Sequence, residues 1–381
     1  MPPTPIATAN RQPSRFAGRA RVVTRALLFR AMHGGHRSRP RHPERILLAH
    51  HLLLGDTLML TALVAKLRER HPAAELVMAL PDAYAPLYAR SPYGLRAIGW
   101  SPRNPAASPL WRERGFDLAI VPGDNRFSWL ALALDARWIV AFAGDRPATK
   151  SWPVDELRRY PDTPAAWSDM VAGLLDGPPP APYRAENWPA PPVEPDMVYP
   201  SGRYAVLHVG ASTPLKRWDP LRWAALAARF AARGIEPVWS AGGGEETLVR
   251  ACDPDARYRS FAGGLSLPQL WHLVAGASVL VSPDTGVAHL GRVVGTPTVA
   301  LFGPGSVTLT GAGAFWRGMP YRAVTVDPFP CRDQRVLFKR EIAWVRRCGR
   351  TLAECAHPRC MDAVDTDAVT AAIAALGIDL G

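Results

Sequence analysis

Three groups of residues in this sequence combine types and spacing that suit chemistry. The first is Ser282-Pro283-Asp284-Thr285-Gly286 with His289, set between two short apolar runs, Val279 to Ser282 and Thr298 to Phe302. It reads as strand, turn and helix start. Asp284 or Thr285 can cap a helix beginning near Gly286, and Thr285 and His289, four apart, then share one face. The unpaired N–H groups of such a start carry positive dipole character and suit phosphate or sugar hydroxyls. The second group is Ser212, Thr213, Lys216 and Arg217, between a strand and a helix, where a diphosphate would find donors and positive charge. Nearby, Gly242, Gly243 and Gly244 let backbone approach a ligand, and Glu245 or Glu246 can accept bonds from ribose hydroxyls. The third is Cys331, Cys348, Cys355 and Cys360, spaced C-x16-C-x6-C-x4-C. Four thiols so close suggest a tetrathiolate zinc or iron site, structural because four protein ligands leave no open position, with free thiols as the alternative. Cys252 stands apart as an inert thiol.

The elements that must position these groups form two α/β units. Arg45 to Ala49 is a strand, and Leu60, Leu63, Val64 and Leu67 then recur at helical spacing. Gly55 permits a sharp backbone ahead of Asp56, which by spacing alone is a helix cap facing the carboxyl edge of the sheet, where ligands collect in open α/β folds. Glu75 to Leu80, Ala97 to Trp100 and Phe116 to Val121 are further strands. Asp124 and Asn125 are candidates either for the cleft or for a turn. The aromatic and basic mixture at 151–170 (Trp152, Arg158, Arg159, Tyr160, Trp167) suits sugar rings or ordinary packing equally.

Pro178 to Pro200 reads as a stiff extended linker, which divides the chain into a domain over 45–185, a linker over 186–200 and a domain over 201–381. The second unit opens with the strand Tyr204 to Val209. A helix follows, framed by Asp219, Pro220 and Gly234, then the strand Ile235 to Ser240 and a helix carrying Leu267, Leu270, Leu273 and Val274. Asp367 to Leu376 is the final helix.

Charge is unevenly spread. The 381 residues carry a formal charge of +12, and residues 1–45 hold ten arginines against the single acid Glu44, so they supply nine of the twelve. The nearly balanced remainder argues against a nucleic-acid groove. Residues 1–44 are expected to be a disordered tail or a basic amphipathic helix lying on an anionic leaflet, with an organelle transit peptide as a further reading. No apolar run approaches the ~20 residues of a membrane span, and no secretory signal is evident, so the expected location is the cytoplasm, peripheral on the inner membrane if the arm binds lipid.

The string SPDTGVAHL followed by GTPTVALFGP resembles the hallmark of glycosyltransferase family 9, the bacterial heptosyltransferases. GAS followed by KRW, and GGLSLPQLWHLVAGA, are similar to two further elements of that family, and Gly55-Asp56 matches its GD pair. The resemblance runs from about Arg45 to the C-terminus. It implies a GT-B architecture: two Rossmann-like domains with a nucleotide-sugar cleft between them. It further implies inverting, metal-independent transfer of heptose or a related sugar from a nucleoside-diphosphate sugar, ADP-heptose by family, to a lipopolysaccharide or surface-glycan acceptor, with no cofactor for catalysis. Asp56 would be the base, Lys216 or Arg217 with the helix-start N–H groups near Thr285 and Gly286 would meet the donor phosphate, Asp284 would hold sugar hydroxyls, and His289 would either buttress the turn or touch the donor. The chain departs from the family in having His50 and His51 where a basic residue commonly precedes the GD pair. Related autotransporter heptosyltransferases carry an iron-binding four-cysteine finger, which makes a protein acceptor the second reading. A catalytically silent sugar-nucleotide binder is the third. A dinucleotide oxidoreductase is disfavoured, since no GxGxxG follows the first strand.

Overall fold

A parallel sheet covered on both faces needs strands that are apolar without alternation, and the short runs above have that character. The computed structural model describes residues 15–34, 38–102, 108–195 and 197–381. Its first half contains α1 (Arg15–His33), β1 (Arg45–Ala49), α2 (Leu54–Met59), α3 (Thr61–Arg70), β2 (Glu75–Pro81), β3 (Leu95–Trp100), β4 (Leu118–Val121), α4 (Phe127–Ala133), β5 (Trp138–Phe142), β6 (Glu156–Arg158) and α5 (Trp167–Ala172). The strands form one parallel sheet in the order β3-β2-β1-β4-β5-β6. The chain turns outward in both directions from β1, so the loop after β1 lies at the topological switch point, where such sheets bind ligands. Gly55 and Asp56 sit in that loop's continuation, the first turn of α2.

The second half contains β7 (Tyr204–His208), α6 (Pro220–Ala232), β8 (Glu236–Ser240), α7 (Glu246–Cys252), α8 (Leu267–Ala275), β9 (Val279–Pro283), α9 (Gly286–Val294), β10 (Thr298–Phe302), α10 (Val307–Thr310), β11 (Tyr321–Thr325), the hairpin β12 (Val336–Leu337) and β13 (Arg340–Glu341), α11 (Arg359–Asp362) and α12 (Thr366–Ala374). Its parallel sheet runs β11-β10-β9-β7-β8. Local chemistry explains the helix ends. The Asp219 carboxylate accepts from the N–H groups of Leu221 (2.8 Å) and Arg222 (3.2 Å), and Trp223, Leu226, Ala227 and Phe230 form the buried stripe of α6. Ser266 and Gln269 close a reciprocal capping box at α8. The fold is thus α/β with two parallel sheets, each covered by helices.

Three expectations are modified. The single helix expected after β1 breaks at Leu60 into α2 and α3. Residues 1–14 and 35–37 of the basic arm lie outside the described residues, but Arg15–His33 form α1, which packs Val22, Ala26 and Phe29 against α4 in place of the disordered tail that composition allowed. The Pro-rich stretch is extended yet not a free spacer. Tyr183 donates its hydroxyl to the Val293 carbonyl at 2.7 Å, and the Trp188 indole N–H bonds the Leu87 carbonyl at 3.2 Å while its ring packs between Tyr88 and Trp271. One apolar cluster consequently runs from Leu48 and Leu63 of the first half through Tyr183 and Trp188 to Leu280 and Leu290 of the second.

Candidate active site

The two halves meet at glycines. A Cβ on Gly55 would stand 2.7 Å from His289 Cδ2, and one on Gly286 would stand 3.0 Å from the Leu54 side chain. The missing side chains let the first turn of α2 and the first turn of α9 touch, each helix start serving as the other's wall. Beside this contact opens a cleft of about 800 Å³. Leu53 to Asp56 and Tyr84 line it from the first half; Ser212, Thr213, Lys216, Asp284, Thr285, Gly286 and His289 line it from the second.

Asp56 faces this cleft, partly exposed, with surrounding protein on its other sides. Burial first, and the Asp284 carboxylate second, raise its carboxyl to about 6 against the opposing pull of Lys216 and Arg347. Among the described residues nothing donates a hydrogen bond to it, so both oxygens remain available to a hydroxyl. A carboxylate with this affinity for a proton can take one near neutral pH without holding it permanently.

Opposite stands the Asp284 corner. Thr285, in extended conformation, is the N-cap of α9 and accepts from Val287 N–H at 3.3 Å; Gly295, at φ +87°, closes the other end. Of the two capping candidates, the threonine takes the role. Asp284 instead bonds outward, accepting from Lys216 Nζ at 3.0 Å and from the Thr310 hydroxyl at 3.1 Å, while Lys216 also donates to the Asp284 carbonyl at 2.7 Å. Behind it the buried Arg292 donates to the carbonyls of Thr310 (3.0 Å) and Gly311 (2.6 Å), lies over the Tyr321 ring and bonds His289 Nδ1. Burial, followed by Arg292, pushes the His289 pKa well below its usual value, so the ring is neutral. His289 thus links the buried arginine to the Gly55 contact while its edge borders the cleft.

Other candidates fall elsewhere. Arg217, Gly243 and Glu245 do not line the cleft. Glu245 accepts from the N–H groups of Ala211 (3.1 Å) and Gly242 (2.9 Å), clamping the loops after β7 and β8 together. Asn125 is buried in a polar knot with Phe142, Ser151 and Asp145, and Asp124 pairs with Arg126 and Lys150. From 151–170 only Trp167 lines the cleft; Tyr160 stacks on Phe142 and Trp152 on Trp129.

Sequence reasoning missed one wall entirely. Gln334, Leu337, Phe338, Arg347, Gly349 and Arg350, from the cysteine segment, line the same cleft as Asp56 and Lys216. The hairpin β12–β13 leans on the first half through the buried Arg340, which donates to the carbonyls of Gly123 (3.0 Å) and Ala143 (2.9 Å) and to Asn125 Oδ1 (2.7 Å). Behind this wall Cys331, Cys348, Cys355 and Cys360 line a second cavity of about 110 Å³ together with His357. Among the described residues, no three His, Cys, Asp or Glu side chains stand as a ligand group. His50 is buried, and burial, then His51, lowers its pKa to about 3, so it brings no charge to the first loop.

A family model described as glycosyltransferase family 9 (heptosyltransferase) matches residues 112–322, more than half of the chain. The chain belongs to glycosyltransferase family 9. The match includes Lys216 and the Asp284 corner, while Gly55 and Asp56 precede it. Lipopolysaccharide heptosyltransferase 3 of Escherichia coli is 24% identical over 320 residues, which are 74% of this chain and 89% of that one. Lipopolysaccharide heptosyltransferase 1 of Pseudomonas aeruginosa is 30% identical over 154 residues, 37% of this chain but only 43% of that protein's length. Among solved structures, the ADP-heptose LPS heptosyltransferase II of E. coli aligns with a TM-score of 0.64 at 18% identity, over 87% of this chain and 98% of that one. The iron-containing dodecameric glycosyltransferase TibC of enterotoxigenic E. coli aligns with a TM-score of 0.54 at 15% identity, over 89% and 77%. As a family 9 member the chain is a glycosyltransferase of GT-B type, like its structural neighbours.

Proposed function

We propose that this glycosyltransferase moves heptose or a related sugar, with inversion and without a metal in the chemical step, from a nucleoside-diphosphate sugar to a lipopolysaccharide or surface-glycan acceptor. The donor is read as ADP-heptose, because the neighbours sharing its fold include enzymes solved with ADP and with an ADP-heptose analogue. The observation that carries the reading is Asp56, raised to about 6 and without a hydrogen bond among the described residues, in one cleft with Lys216, Asp284 and Thr285.

In the proposed step the acceptor oxygen attacks the anomeric carbon as its proton passes to Asp56, and the bond from that carbon to the diphosphate oxygen breaks. Lys216 and the N–H groups at the start of α9 take up the charge growing on the leaving diphosphate. Asp284, fixed by Lys216 and Thr310, is placed for the sugar hydroxyls. His289 supports the corner from behind. Asp56→Asn is expected to bind ADP within twofold of the original protein in calorimetry and to lose transfer by a factor of about 10² to 10⁴. Near-normal transfer by that variant would sink the base assignment, and donor binding without transfer by the unaltered protein would favour a silent binder.

Cys331, Cys348, Cys355 and Cys360 are proposed to hold a structural zinc or iron ion. Their lining of one small cavity supports this, as does the iron-containing neighbour, and the thiols would have to draw closer together around the ion; a tetrathiolate set would fasten the segment and supply no reaction step. Metal analysis of purified protein is expected to find about one equivalent, and substoichiometric zinc and iron would mean free thiols. Peripheral contact with an anionic membrane is proposed for α1. No helix among the described residues is long and apolar enough to cross one.

A further inference from the structure

Three cations line the cleft among the described residues: Lys216, Arg347 and Arg350. Two are already engaged. Lys216 is bonded to Asp284, and Arg350 makes a two-pronged bond to the Asp333 carboxylate at 2.9 Å to each oxygen, with a third bond to the Cys331 carbonyl at 2.7 Å. Arg347 differs. Its backbone is fixed by a two-way bridge to Gln334 (2.9 and 3.2 Å), while its guanidinium has no hydrogen-bond or ion-pair partner among the described residues. A half-buried guanidinium carries five donors in a planar fork suited to phosphate or carboxylate oxygens. Holding one in a cleft without a protein partner leaves those donors for a ligand.

The placement is built from outside the two sheets. Arg340 pins the hairpin to the first half through three carbonyl or amide oxygens, Cys348 N–H bonds the Pro304 carbonyl at 3.0 Å, and the Gln334 bridge holds the strand between these anchors. Arg347 thereby lines the same cleft as Asp56, close enough for its charge to act on that carboxyl. His50, in the loop before Asp56, is buried and neutral and brings no such charge.

We propose that Arg347 is a substrate-binding residue, whose guanidinium takes a phosphate or carboxylate group of a substrate beside Asp56. The inference rests on the transferase reading for the identity of that substrate, and two sources are open to it: an anionic group on the acceptor, or the donor diphosphate. Bound there, the anion would be paired with Arg347 rather than left facing the Asp56 carboxylate.

The test uses full-length protein, Arg347→Gln and Arg347→Lys, with ADP and then inorganic phosphate added to ADP-saturated protein as calorimetric probes. An acceptor-side site predicts ADP affinity within twofold in all three proteins, with phosphate affinity at least tenfold weaker in Arg347→Gln and mostly restored in Arg347→Lys. A donor-side site predicts ADP binding at least tenfold weaker in Arg347→Gln and partly restored by lysine. Equal binding of both probes by Arg347→Gln and the unaltered protein, with an unchanged circular dichroism spectrum, overturns the proposal and leaves the transferase reading standing. Failure of the unaltered protein to bind ADP overturns that reading instead, and the phosphate comparison, run without ADP, then decides Arg347 by itself.

Discussion

At the scale of single residues, the proposed chemistry depends on a carboxyl whose surroundings oppose its ionisation. Burial and Asp284 raise Asp56 to about 6, while Lys216 and Arg347 hold it from rising further. Below that value the carboxyl keeps its proton and cannot accept another. Transfer is therefore expected to fall about tenfold per pH unit as the solution is acidified below 6, and to level off above about 7. A kcat/KM profile checks this; a flat profile between pH 5 and 7 would remove Asp56 from the proton path. Residues of the Asp284 corner were legible in the sequence because Thr285 caps α9, Gly286 permits close approach and Gly295 takes a positive φ, each of which leaves a mark on residue type. Arg347 left no mark. A solvated arginine and a ligand-facing one look alike until the chain around Cys348 is folded over the cleft, and Glu245 shows the converse, a carboxylate read as a ribose ligand that clamps two backbone loops.

At the scale of elements, eight strands and the framed helices followed from apolar runs and caps, with boundaries shifted by at most two residues, as at Leu95 and Leu118, while β5, β6 and β11 were not anticipated. The hairpin β12–β13 was invisible, being only two residues a strand and anchored by a tertiary contact. Arg340 is that contact, and its removal leaves Asn125 Oδ1 and the carbonyls of Gly123 and Ala143 without their donor. Arg340→Met is expected to destabilise the protein by about 3 kcal/mol. If the hairpin is a true wall of the cleft, the same variant also weakens donor binding. Thermal melts with and without ADP separate the two effects, and an unchanged midpoint would show that the latch carries no energy.

At the scale of the whole molecule, composition suggested a stiff extended linker, and within that proline-rich segment Tyr183 and Trp188 bury their rings where the halves join. The outer side of α1 presents Val23, Leu27, Leu28 and Met32, which are 37, 47, 58 and 72% exposed, flanked by Arg19 and Arg30 on one edge and Arg21 and Arg25 on the other. Such a face suits an interface between acyl chains and acidic headgroups. Co-sedimentation with phosphatidylglycerol vesicles is expected for the unaltered protein, with little binding to phosphatidylcholine, and Leu27→Asp with Leu28→Asp should abolish it without altering the melt. Equal pelleting of that double variant would dismiss the surface.

The glycine contact between α2 and α9 joins the two lobes beside the proposed reactive centre. A lever moves least at its pivot. Were the lobes to rock about that contact, the rim of the crevice would widen while the spacing between Asp56 and the Asp284 corner stayed nearly constant.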